Sequence, residues 1–190
     1  MKHLTTLIKE FNGSGLNEEQ LTKKFEEIAK AAMYGGHFRV NGEFDIHINE
    51  VEFYFHSEDE EITSVHDWTM YHRGKDLPYF PIGSLHPHRS GVDVTFENEK
   101  EAYRASFLIR KYEIDGVVYD KPSFLCEDLI GYTGCILGDG PKIEWINEET
   151  LDMENYSLEE NTRINLSAYD EKGNLKKGER DARPWRFTKK

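Results

Sequence analysis

Cysteine is almost absent from this chain. Cys126 and Cys135 are too few for a disulfide framework, and their spacing of nine fits no zinc motif. Long apolar runs are missing too, so no segment approaches a membrane span. The opening Met1-Lys2-His3-Leu4-Thr5-Thr6-Leu7-Ile8-Lys9-Glu10 lacks the apolar centre of a signal peptide. These absences predict a soluble, cytoplasmic protein with no membrane partner. No glycine-rich phosphate loop is present, and Gly138-Asp139-Gly140-Pro141 reads as a turn. No serine sits in a nucleophile elbow, and neither cysteine has the flanking context of a nucleophile. Covalent catalysis is therefore unsupported. Basic residues are in deficit, 24 against 36 acids, for a net charge of -12. An acidic bulk repels nucleic acid, whose binding depends on neutralising phosphates.

Aromatic residues are plentiful. At 13% they supply the large rings that disordered chains lack. At 190 residues the chain is read as one domain, 1–190, long enough for a substantial core. It has an N-terminal arm, 1–16, and a basic C-terminal segment, 172–190. That last segment holds eight Lys or Arg and two acids, a local +6, which leaves -18 on the rest. It is either a solvated tail or a phosphate-binding edge.

Local signals place the elements. Asn17 caps a helix and Gln20 closes a capping box. Leu21, Phe25, Ile28, Ala29 and Ala32 then recur at helical spacing through Met33, until Gly35-Gly36 ends the run. A strand from His37 to Val40 follows, then an Asn41-Gly42 hairpin turn and a second strand through Glu52. Residues 56–90 read as irregular, and loops that long inside a domain are usually functional. Gly91–Phe96 and Ala105–Arg110 read as hairpin partners. Lys121-Pro122-Ser123 leads into a short helix, about Phe124 to Ile130. Lys142–Ile146, Arg163–Leu166 and Pro184–Phe187 read as further strands, and the acid-rich 147–160 as a solvated loop. The expected class is α+β, with antiparallel hairpins and helices at the margins.

The segment Phe44-Asp45-Ile46-His47-Ile48-Asn49-Glu50-Val51-Glu52-Phe53-Tyr54 carries the chemistry. Strict alternation places Phe44, Ile46, Ile48, Glu50, Glu52 and Tyr54 on one face. Two carboxylates that continue an apolar row lie at the edge of the core or in a pocket, where desolvation raises a carboxylate pKa towards acid–base use. Glu52 is the candidate base, with water as nucleophile. Arg110, at the end of Phe107-Leu108-Ile109, is a candidate pocket cation or an arginine covering apolar surface with its stem. Among eight histidines, His86-Pro87-His88 and His66 with Asp67 are the best ligand candidates. None has a recognised zinc spacing, and no metal or other cofactor is expected.

Several segments, in order, resemble the alkyladenine (3-methyladenine) DNA glycosylases. Glu50-Val51-Glu52-Phe53-Tyr54 is similar to that family's Glu-x-Glu-x-Tyr strand. Ala29-Lys30-Ala31-Ala32-Met33-Tyr34-Gly35-Gly36 resembles the preceding helix end, and Glu58-Asp59-Glu60 follows the Tyr at the family's spacing. Ala105-Ser106-Phe107-Leu108-Ile109-Arg110 is similar to its small-x-hydrophobic-Leu-hydrophobic-Arg strand. Asp120-Lys121-Pro122-Ser123-Phe124-Leu125 stands where the family has a Gly-Pro-x-x-Leu turn. Arg163-Ile164-Asn165 and Arg183-Pro184-Trp185-Arg186-Phe187 look like its closing motifs. The resemblance covers roughly residues 25–187. It implies a single α+β domain around a curved antiparallel sheet with peripheral helices. The implied activity is metal-free excision of modified purines by base flipping. Glu52 would deprotonate the attacking water and Arg110 would help to hold it. Tyr54 would stack on the base, and His66 would contact the base or sugar phosphate. The chain departs from the family at Ser90-Gly91-Val92-Asp93, which replaces a Tyr-Gly-x-Tyr, and at Glu97, which replaces a pocket Asn.

Three functions follow as expectations. The first is a divergent DNA N-glycosylase that contacts DNA phosphates through the basic segment. The second is a hydrolase or binder of a small nucleoside-like ligand. Its remodelled pocket would draw on Glu50, Glu52, His66, His86, His88, Arg89, Asp93 and Arg110, with Ser90 and Glu97 in the substrate-binding set. The third is a non-catalytic interaction protein on the same scaffold.

Overall fold

A computed structural model describes residues 2–59, 65–74, 76–133, 142–148 and 156–190. The Gly138–Pro141 turn and Cys135 lie outside the described residues. Among the described residues three helices surround one antiparallel sheet: α1 (Leu4–Glu10), α2 (Glu18–Tyr34) and α3 (Pro122–Thr133). The sheet comprises β1 (Gly36–Val40), β2 (Phe44–Ser57), β3 (Leu85–His88), β4 (Gly91–Thr95), β5 (Tyr103–Ile114), β6 (Val117–Tyr119), β7 (Ile143–Asn147), β8 (Leu158–Asn161) and β11 (Arg186–Lys189). A separate hairpin joins β9 (Ser167–Tyr169) to β10 (Leu175–Arg180). The sheet's main path runs β3-β4-β5-β2-β1-β7. The α+β expectation with antiparallel hairpins is met. No helix among the described residues is long and apolar enough to cross a membrane.

Helix α2 forms as its sequence dictates. The Asn17 side chain accepts from Gln20 N–H, and the Gln20 side chain accepts from Asn17 N–H. This reciprocal box satisfies two of the donors that every helix start leaves open. Its apolar stripe lies on the sheet, where Phe25 stacks on Phe53 with ring centroids 4.5 Å apart. Trp185 meets the same Phe25 edge-on at 5.1 Å, and its indole N–H donates to Thr22 Oγ1. At Asn41-Gly42 both residues take positive φ, 53° and 76°. That is the geometry an Asn-Gly turn supplies at low cost.

β2 is the structural axis. It pairs with β1, β5 and β11, and its long ladder with β5 contains one irregularity. Glu50 slips to face Lys111, and the register recovers where Val51 faces Ile109. These two offsetting bulges reverse the in–out alternation. Ile46 and Ile48 before the bulges, and Val51, Phe53 and Phe55 after them, all join one core cluster. Glu50, Glu52 and Tyr54 are left on the opposite face. Strict alternation had placed them in the same row as Ile48, and that expectation is corrected.

Other expectations change as well. The arm 1–16 contains helix α1, whose Leu4 and Ile8 are buried. β2 continues to Ser57, and Leu85–His88 is a strand inside the stretch read as irregular. Arg163–Leu166 is not a strand, because it crosses the sheet face as a connection. Leu158–Asn161, read as solvated loop, pairs with β11. The basic tail is not frayed. It supplies β10, and β11 inserts its backbone between β2 and β8.

Candidate functional site

The face opposite α2 is polar, and networks of charged side chains cover it. At its centre Glu52 is fully buried. Its Oε1 accepts from Arg110 Nη2 at 2.6 Å and from the Tyr54 hydroxyl at 2.5 Å. Its Oε2 accepts from the Ile164 backbone N–H at 2.9 Å. Three donors thus converge on one buried carboxylate. Burial works against the Arg110 charge, but the Glu52 carboxylate outweighs it and raises the Arg110 pKa. Burial and then the Glu52 charge push the Tyr54 hydroxyl well above its ordinary value. Tyr54 is therefore a fixed donor, and Arg110 a fixed cation.

The chain crosses this face at 162–166 because Arg163 holds it there. The Arg163 guanidinium is buried among Asp67, Asp181 and the Phe53 carbonyl. It also sits 5.1 Å over the Tyr54 ring. Arg183 closes the quartet through Asp181 and Asp67. Burial alone would raise both acids, yet the two arginines pull Asp67 and Asp181 below the usual carboxylate range. Breaking such a buried set on one side leaves an uncompensated charge, so this latch fixes where Ile164 meets Glu52.

Beside Tyr54 lies a cavity of about 360 Å³. Tyr54, Tyr71, His88 and Asp93 wall it, with Arg89 and Ser90 at its mouth. Asp93 Oδ1 faces His88 Nε2 at 3.0 Å, and Oδ2 accepts from Ser106 Oγ at 3.0 Å. The Ser90 N–H donates to His88 Nδ1 at 3.2 Å. That pairing orients the His88 ring so that Nε2 points at Asp93. The Tyr71 ring lies 4.6 Å from His88 and 5.7 Å from His86. A second cavity, of about 1070 Å³, opens on the far side of Tyr71, between Trp68, His56, Arg73 and Tyr79.

The structure brings Glu52, Tyr54 and Arg110 together, and groups His88, Arg89, Ser90 and Asp93 around the smaller cavity. It separates the rest. Glu50 is buried in its own cluster with Lys111, Arg186 and Thr188. Burial would raise its pKa, but the hydrogen bonds from Lys111 and Arg186 hold it below the ordinary value. His66 lies away from Glu52, facing His56 and Trp68 and meeting the Ser57 carbonyl through Nδ1. His86 packs on Phe80 at 4.2 Å, behind Tyr71. Glu97 is removed from the cavity altogether and is buried between His72 and Arg104. Among the described residues no group of three or more His, Cys, Asp or Glu is placed to hold a metal. Sequence reasoning missed Tyr71. Its only signal was an aromatic residue in a long irregular stretch.

No family model matches this chain, and neither the curated proteins nor the solved structures contain a significant match.

Proposed function

We propose that the protein binds a flat, hydrogen-bonding ligand of the nucleobase class between Tyr54, Tyr71 and His88. We further propose that it hydrolyses the ligand's N-glycosidic bond with a water held by Glu52. The observation that carries this reading is the buried Glu52 directly behind Tyr54, fixed by Arg110 and the Ile164 N–H. A modified purine that leaves readily needs a carboxylate near the anomeric carbon more than it needs a strong acid. The water oxygen bonds to C1′, its proton passes to Glu52, and the C1′–N bond electrons leave with the base. The negative charge of Glu52 stabilises the oxocarbenium character that develops on the sugar. Tyr54 lies between Glu52 and the cavity, so reaction requires it to release Glu52 and turn onto the base.

The residue-by-residue resemblance to the alkyladenine DNA glycosylases supports the same chemistry and a related arrangement of the sheet. The net charge of -12 favours a small ligand over duplex DNA. Tyr71 and His88 supply the flat surfaces that Ser90 and Asp93 do not.

The test is release of free base from modified purine nucleosides, and from a duplex carrying one hypoxanthine or ethenoadenine. Wild type is compared with Glu52→Gln, which preserves size. Glu52→Gln is expected to lose about a hundredfold or more in rate. Equal release by both proteins would remove Glu52 from the chemistry.

A further inference from the structure

Two-thirds of the arginines of this acidic chain are neutralised by carboxylates. Of nine, six form ion pairs with carboxylates: Arg39, Arg104, Arg110, Arg163, Arg183 and Arg186. Among the described residues, Arg73, Arg89 and Arg180 make no such pair. All three line cavities, and two of them stand on either side of Tyr71. Arg89 is exposed at the mouth of the smaller cavity. Arg73 is half-buried in the larger one, with one Nη1 bond to the Met70 carbonyl at 2.5 Å and its guanidinium 5.9 Å from the Trp68 ring. An arginine left without an acid in a chain so rich in acids is free to meet an anion from outside. Its planar fork suits phosphate oxygens.

The smaller cavity is also graded in charge. Asp93 is buried in its wall and Arg89 lies at its rim. A ligand that presents N–H groups inward and an anion outward matches both ends. A neutral nucleoside matches only the inner one.

We propose that the ligand is a nucleoside monophosphate, with its base inward against Tyr71 and His88 and its phosphate on Arg89. Arg73 gives secondary attraction from across Tyr71. It is the weaker contributor because Asp59 and Glu99 line the same cavity. The assignment rests on the base-cavity reading above and adds to it the phosphate and its direction.

Isothermal titration at low salt tests it with adenosine, inosine, their 5′-monophosphates and inorganic phosphate as probes. The proteins are wild type, Arg89→Gln and Arg73→Gln. On wild type a monophosphate is expected to bind about tenfold tighter than its nucleoside, the size of one charge-assisted hydrogen bond. Arg89→Gln should bring that ratio close to one, and Arg73→Gln should lower it partially. Three results would overturn the assignment: equal binding of nucleoside and monophosphate, a ratio that survives both substitutions, or inorganic phosphate binding as tightly as the monophosphate. Nucleoside binding without a phosphate preference removes only the phosphate assignment. Failure of every nucleoside and nucleotide to bind removes the base-cavity reading with it.

Discussion

Mild acid should weaken this fold through His56. The imidazole is 5% exposed and lies against His66 and Trp68, with ring centroids 5.4 Å and 5.2 Å away. Burial lowers its pKa from 6.5 to about 4, with His66 and Arg73 pushing the same way against Glu58 and Asp67. The folded value lies below the unfolded one, so the fold favours the neutral ring. The associated stability is complete above the unfolded pKa and is lost as pH falls from there through the folded pKa. A tenfold change in proton affinity is worth about 1.4 kcal/mol, so the full loss is about 3 kcal/mol, with about 2 kcal/mol of it between roughly pH 7 and pH 5. The depressed carboxylates Glu50, Asp67 and Asp181 act in the same sense, but in a lower pH window. Their stability is present above the ordinary carboxylate range and is lost only below it, so they leave this window to histidine. Urea titrations at several pH values on wild type and His56→Gln measure the effect. Wild type should lose about 2 kcal/mol across the window, and the variant should lose much less. His86, lowered by burial as well, accounts for a residual slope. Equal losses in the two proteins would refute the assignment to His56.

Arg104 is fully buried and donates to Glu58, Glu97 and the carbonyls of Gly74, Leu77 and Pro78. Arg104→Met should cost about 3–5 kcal/mol and raise hydrogen exchange selectively at residues 76–80, as read by mass spectrometry. A uniform change across the chain would count against that strap. Phe53→Ala removes a ring that touches Phe25, Phe107 and Phe187. It should cost about 3–5 kcal/mol in a denaturant melt, and a loss under about 1 kcal/mol would mean that the site is not packed as described.

Much of the scaffold was legible because its signals are local. The Asn17–Gln20 box, the 3.6-residue stripe of α2 and the Asn41-Gly42 turn need only neighbouring residues to act. The missed elements lacked such signals. Leu158-Glu159-Glu160-Asn161 has no apolar alternation and is a strand because β11 offers it a partner. The histidine and proline in Leu85-His86-Pro87-His88 hide an edge strand, where a missing N–H is tolerated. The bulge at Glu50 was invisible because it depends on a paired slip in β5, about sixty residues away. Glu52, Tyr54 and Arg110 were found as a set, although strict alternation put the first two on the wrong side of the sheet. Tyr71 and the Arg163 latch were not found, since no spacing links residues so far apart in the chain.

The sequence by itself determined the helix α2, the first hairpin, the apolar strands of the core and an acidic surface, because periodicity, turn residues and charge act over a few positions. The tertiary structure alone decided the environment of each charge. It buried Glu97 beneath Arg104, gave Glu50 to Lys111 and Arg186, and, among the described residues, left Arg73 and Arg89 without an ion pair beside Tyr71. The physical reason is that a charged side chain carries no record in sequence of which distant partner will desolvate or neutralise it.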